Sequence, residues 1–179
     1  MQRGGASLAL EAKQQICELY DVVFSSQPFV WNPRDSREHS DTLDRLMAQD
    51  TFEVTVAFDN SNVVGFAYGH RLPVNHGWWS GFSEALPADF TREWEGRTFT
   101  LDDFAVTAGL RGAGIGRKLH DLLLGQRPEE RAVLSVQPTA EETQCIYQHM
   151  GWSKVGRKGP MEEVEPAYWD IYVLPLSFL

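Results

Sequence analysis

Helical spacing opens the chain: Ala12, Ile16, Leu19, Tyr20 and Val23 share one face up to about Phe24, and Ser7 is placed to cap the first turn. Pro28 and Pro33 break the pattern, and Leu43, Leu46 and Met47 mark the inner face of a second helix running to about Gln49. The period then changes to two. Phe52, Val54, Val56 and Phe58 alternate with Glu53, Thr55 and Ala57, Asp59 to Asn62 has turn chemistry, and Val63 to His70 returns as the second strand of a hairpin. Phe99 to Val106 is the next strand. Strict alternation puts Thr100, Asp102, Phe104 and Val106 on one face and Leu101, Asp103 and Ala105 on the other, so the adjacent carboxylates are expected to point apart.

A helix bearing Ile115, Leu119, Leu122 and Leu123 follows, and then Ala132 to Val136, an apolar run suited to a strand buried on both faces. Strand, crossover helix and strand form a βαβ unit with parallel neighbours. Thr139-Ala140-Glu141-Glu142 predicts a capping box for a helix that carries Ile146 and Tyr147 and stops at Gly151. Trp152 to Gly156 and Tyr168 to Leu174 are the last strands, joined by an exposed connection from Lys158 to Pro166. The order predicts one α/β domain over residues 1–179: a three-layer sandwich whose mixed, mostly antiparallel sheet has a central parallel strand pair and flanking helices. Leu72 to Arg97 is long for a connection and holds Trp78, Trp79, Phe82, Phe90 and Trp94, so it is either a lid on an acceptor pocket or an aromatic cluster covering one end of the sheet.

A net charge of −9 argues against nucleic acid or an anionic membrane as partner and favours a cationic ligand. Cys17 and Cys145 have neither zinc nor redox spacing, the N-terminus lacks the apolar core of a signal peptide, and no stretch approaches a membrane span, so a cytoplasmic setting is expected. The histidines show no metal spacing and are expected on helix surfaces and loops. His70 and His76, which flank the long segment, are secondary candidates for a base.

The chemistry concentrates in Leu101 to Leu119. Arg111-Gly112-Ala113-Gly114-Ile115-Gly116 runs straight into a helix, and a glycine-rich loop opening a helix is an anion site, because first-turn N–H groups lack intrahelical partners and no Cβ blocks approach. A P-loop needs Ser or Thr after Gly-Lys, whereas Gly116 is followed by Arg117 and Lys118; a dinucleotide fingerprint needs G-x-G-x-x-G, whereas the glycines here give G-x-G-x-G.

Arg111, Gly114 and Gly116 fill R-x-x-G-x-G after a strand ending at Val106, which resembles motif A of the GNAT superfamily of acyl-CoA-dependent N-acyltransferases. Tyr147 to Trp152 is similar to that family's Tyr-x-x-x-Gly-aromatic segment, and the element order agrees apart from a first strand that is short or missing. The resemblance implies acetyl-CoA as cosubstrate. Its pyrophosphate would lie on the backbone of Arg111, Gly112, Ala113, Gly114, Ile115, Gly116 and Arg117, and its pantetheine arm along Phe104, Ala105 and Val106. Tyr147 would be the general acid for the departing thiolate, and Asp102 the base, as in aminoglycoside-type members. Where many relatives carry an asparagine on the pantetheine arm, this chain has Ala140. The implied activity is direct acetyl transfer to a small cationic amine. An inert acyl-CoA-binding module and a protein or peptide N-acetyltransferase are the alternatives, and a homodimer is compatible with the family.

Overall fold

The computed structural model describes residues 1–162 and 165–176. Its elements are β1 (Gln2–Gly4), α1 (Ala6–Phe24), α2 (Pro33–Met47), β2 (Glu53–Asp59), β3 (Asn62–Arg71), α3 (Ala88–Thr91), β4 (Thr98–Val106), α4 (Ile115–Leu124), β5 (Arg131–Val136), α5 (Glu141–His149), β6 (Ser153–Lys158) and β7 (Trp169–Pro175). The strands form one sheet in the order β1-β2-β3-β4-β5-β7-β6, antiparallel except for β4 beside β5. This is the mixed α/β sheet expected, with the short first strand present as three residues paired to β2.

Two apolar layers sandwich the sheet. Ala9, Ala12, Ile16 and Leu19 of α1, with Leu43 and Leu46 of α2, cover Val54, Val56, Phe66, Tyr68 and Ala105. On the opposite face Leu119 and Leu123 of α4 pack with Ala57, Ala67, Phe99, Leu101 and Leu134, together with Tyr147 and Trp152. Helices α1, α2 and α4 thus bury the stripes that their spacing announces, whereas α5 buries Tyr147 and leaves Ile146 exposed.

The helix starts differ from expectation. Gly5, not Ser7, precedes α1, and no side chain caps it. The Thr139 capping box does not form either: Ala140 takes the N-cap position of α5, so the threonine hydroxyl lies one residue too early to reach the first-turn amides. The reciprocal box occurs instead at α2, where Asn32 accepts from Arg34 N–H and Asp35 accepts from Asn32 N–H. That helix ends at Met47, before Gln49.

The long segment forms an aromatic cluster. Trp79 stands edge-on to Phe90 and stacks with Phe82, Arg131 lies over Trp79 and Phe90, and Phe82 bridges to Lys158 on β6. Glu93 joins this cluster to the starts of β4 and β5, accepting from Trp79 Nε1, Thr98 and Arg131. Lys158, expected to open the exposed connection, is instead the last residue of β6, half-buried against Trp78 and Phe82, and residues 163 and 164 of the connection lie outside those described.

Candidate active site

The parallel ladder between β4 and β5 joins Thr98 to Arg131, Phe99 to Ala132 and Thr100 to Val133, and there it ends. From Leu101 onward β4 keeps only its β3 partner, so the backbone of Phe104, Ala105 and Val106 borders an opening in the middle of the sheet. Unpaired strand edges present N–H and C=O groups to whatever fills the gap.

Beyond the open end of β4 lies the glycine loop. Gly112 and Gly114 have φ of +82° and +76°, values that L side chains adopt only with strain, and a Cβ at either would meet nothing within 4 Å, which leaves the backbone open to a ligand. Gly114 is the N-cap of α4 and no side chain caps that helix, so its first-turn amides point outward unclaimed. Gly116 has a different reason. A Cβ there would press within 3.2 Å of the Phe104 ring, which fixes how closely α4 approaches β4. Arg111 and Arg117 are exposed, and Arg117 bonds Asp121 at 3.0 Å.

A bulge reorganises the carboxylates. Tyr68 pairs with Asp103 and Gly69 with Leu101, so Asp102 is the extra residue on β4 and strict alternation fails. Asp102 accepts from His70 Nδ1 at 2.8 Å and lies 3.2 Å from the Thr100 hydroxyl, while Asp103 accepts a short bond from the Tyr68 hydroxyl. Tyr68 and His70 are two residues apart on β3 and share a face, so both carboxylates bond to the same side of the sheet. This corrects the expectation that they point apart and that Asp102 sides with Phe104. Burial raises both aspartates above the usual carboxylate range; His70 and Thr100 partly offset this at Asp102, and His39 and Tyr68 at Asp103.

Tyr147 of α5 lies in the opposite apolar layer, beside Phe104. It is 8% exposed, packs edge-on to Trp152 and tilts against Phe104 and Tyr172, and its hydroxyl has no hydrogen-bond partner among the described residues. Burial, then the charge of Asp103, pushes the phenol well above its ordinary value, so it is held as a proton donor. Ala140 is fully buried at the start of α5 and offers no polar group to the opening.

His149, exposed on α5, and His76, exposed in a loop, lie where expected, and the other three histidines do not. His39, His70 and His120 are buried and bonded rather than on the surface. His76 alone keeps a loop position near the site, its ring centroid 6.5 Å from that of His70. In the α1–α2 loop, Phe29 packs against both apolar layers. No composition signal marks these pairings, because each joins residues remote in sequence.

A family profile, the Acetyltransferase (GNAT) family, matches residues 14–152. No curated protein matches the sequence. Among solved structures the fold is similar to an aminoglycoside 6'-N-acetyltransferase complexed with coenzyme A (TM-score 0.65, 13% identity, covering 98% of this chain and 97% of that one). It is also similar to Arabidopsis thaliana Naa50 in complex with a bisubstrate analogue, CoA-Ac-MVNAL (0.58, 17%, 96% of each). An acetyltransferase of the GNAT family from Streptococcus pneumoniae matches with TM-score 0.63 at 14% identity, over 97% of this chain and 96% of that one.

Proposed function

This chain belongs to the GNAT acetyltransferase family, and from that premise we propose that it transfers an acetyl group from acetyl-CoA to the primary amine of a small cationic molecule, both substrates being bound together. The observation that carries the reading is the coincidence of three features around Phe104: an uncapped helix start behind an open glycine loop, a gap in the sheet beside β4, and a buried tyrosine whose hydroxyl has no hydrogen-bond partner among the described residues.

The residues fit the cosubstrate. The first-turn amides of α4 and the backbone from Arg111 to Arg117 hold the pyrophosphate, since anions are stabilised at helix N-termini. The free edge of Phe104 to Val106 accepts the pantetheine arm as an added strand would be accepted, with backbone groups facing the thioester carbonyl. Tyr147 donates to the sulfur as the C–S bond breaks. Asp102 takes the ammonium proton that must leave before the nitrogen can attack, with His70 and Thr100 fixing its carboxylate. Two adjacent carboxylates and a net charge of −9 favour a cationic acceptor over a neutral one.

The test is release of free CoA thiol from acetyl-CoA across aminoglycosides, polyamines, amino acids and short peptides, with acetyl-CoA binding followed in parallel. Tyr147→Phe and Asp102→Asn are each expected to lower kcat by about 10²- to 10⁴-fold without loss of acetyl-CoA binding. Wild-type turnover in both folded variants would remove the assigned roles, and failure to bind acetyl-CoA would remove the reading of the glycine loop.

A further inference from the structure

The acetyl transfer proposed above uses one of the two carboxylates on the β4 bulge and leaves the other without a task. Gly69 lies opposite that bulge, where a Cβ would collide with the Thr100 carbonyl oxygen and press on the Phe99 ring, so glycine is what lets β3 close onto it. Asp102 and Asp103, neighbours in the chain, consequently both bond to the face that carries Tyr68 and His70.

Each carboxylate is half satisfied. Oδ2 of Asp102 meets His70 Nδ1 and the Thr100 hydroxyl, and Oδ2 of Asp103 takes the proton of Tyr68, whose own oxygen is 2.9 Å from His39 Nε2. The two Oδ1 atoms have no hydrogen-bond partner among the described residues, yet neither is sealed from solvent, the side chains being 20% and 23% exposed. His70 repeats the pattern. Its side chain is 6% exposed, Nδ1 donates to Asp102, and Nε2 is left open without a partner among the described residues. With the ring proton on Nδ1, Nε2 is an acceptor, so the free atoms of all three residues accept and none donates. Such a lining suits an ammonium group, which only donates.

Charge compensation here departs from the rest of the chain. Glu93 is paired with Arg131 at 2.7 Å, Glu129 with Arg127 at 2.9 Å and Arg71 at 3.2 Å, and Asp170 with Arg157 and Lys154 at 2.7 Å each. Among the described residues no lysine or arginine forms an ion pair with Asp102 or Asp103. Their basic neighbours are histidines: His70, 2.8 Å from Asp102, and His39, 3.9 Å from Asp103 and kept neutral by burial. A mostly buried carboxylate without a cation is costly, and at Asp103 the chain supplies none.

We infer that the acceptor supplies it: the second substrate is a dibasic amine, one nitrogen reacting at Asp102 while another, still protonated, is held by Asp103 Oδ1. This rests on the reading of Asp102 as the base. Tyr68 aims the second carboxylate as a positioning residue. Tyr68 and His70 lie about 6–7 Å apart along β3, so the carboxylates that they hold suit the two ends of a short diamine, or of a larger molecule that presents one. A monoamine would satisfy Asp102 and leave Asp103 uncompensated.

The test compares 1,3-diaminopropane, 1,4-diaminobutane and 1,5-diaminopentane with the amino alcohols of matching length. At least one diamine is expected to exceed its amino alcohol in kcat/KM by roughly 10- to 100-fold, mostly through KM. Asp103→Asn keeps an oxygen for the Tyr68 proton and should bring that ratio to within about threefold of unity, with amino-alcohol kinetics and acetyl-CoA binding near wild type. Tyr68→Phe should lower the ratio by a smaller factor. Melting temperatures establish that each variant is folded. Equal kcat/KM for diamines and amino alcohols in the wild type, or an undiminished ratio in Asp103→Asn, would overturn the role of Asp103 and leave acetyl transfer standing. Absence of turnover with every amine would count against acetyl transfer instead, and calorimetric binding of the diamines would then decide the role of Asp103, which requires that binding to weaken in Asp103→Asn.

Discussion

The side-chain amide of Gln137 pairs with both backbone groups of Val30, accepting from its N–H at 2.6 Å and donating to its carbonyl at 3.0 Å. The loop between α1 and α2 is thereby tied to the end of β5, across the opening from Asp102 and Asp103.

Gln137→Leu should release that loop. Losing two hydrogen bonds beside a partly buried backbone costs on the order of 1–2 kcal/mol, and the wall that Phe29 and Val30 provide becomes mobile. A several-fold rise in acceptor KM, with acetyl-CoA affinity unchanged, is the expected result of steady-state kinetics paired with calorimetric binding.

The start of α4 offers a backbone test. Gly114 sits at φ +76°, so Gly114→Ala pays about 1–2 kcal/mol for a left-handed residue while its methyl meets no neighbour. Denaturant unfolding should show that loss, and acetyl-CoA should bind more weakly because the amides of the first turn are reoriented.

Trp152 and His120 predict a pH dependence of stability. The indole N–H donates to His120 Nε2 at 3.0 Å, which places the imidazole proton on Nδ1, bonded to Asp121 at 2.9 Å. Burial, the largest influence, lowers the pKa below 6.5, so the neutral form belongs to the folded state. Above pH 6.5 that contribution is complete. As pH falls through 6.5 towards the depressed folded value the unfolded chain binds the proton first, and stability declines by up to about 1.4 kcal/mol per pH unit. Melting temperatures from pH 8 to 5 should fall more steeply for the wild type than for His120→Gln, since His39 contributes equally to both; parallel curves would contradict this.

Arg131 and Glu93, with side chains 7% and 5% exposed, form the buried ion pair that anchors the long aromatic segment. Arg131→Met leaves Glu93 unpaired in the interior and should cost about 3–5 kcal/mol. Limited proteolysis is then expected to cut between residues 72 and 97 before any other site.

What the sequence made legible was local. Ile16 and Leu19 announce α1 through spacing that the core reproduces, and the glycine loop announces the start of α4 within a few consecutive residues. The bulge at Asp102 was illegible, because one extra residue in a strand leaves no mark in composition, yet it moves a carboxylate to the other face of the sheet. His39, Tyr68 and Asp103 come from three elements, and only the packing of α2 against the sheet brings them into line. The Thr139 capping signal failed for a reason of the opposite kind. Its residues were right, and the helix begins at Glu141, one position beyond the hydroxyl's reach.

Three rungs are all that join β4 to β5. The sheet is therefore a four-strand leaf and a three-strand leaf sharing a short spine, and a pantetheine arm lying along Phe104 to Val106 would serve as the missing stitching. Saturation with cosubstrate should slow amide hydrogen exchange in both leaves at once, including strands such as β7 that the ligand never touches.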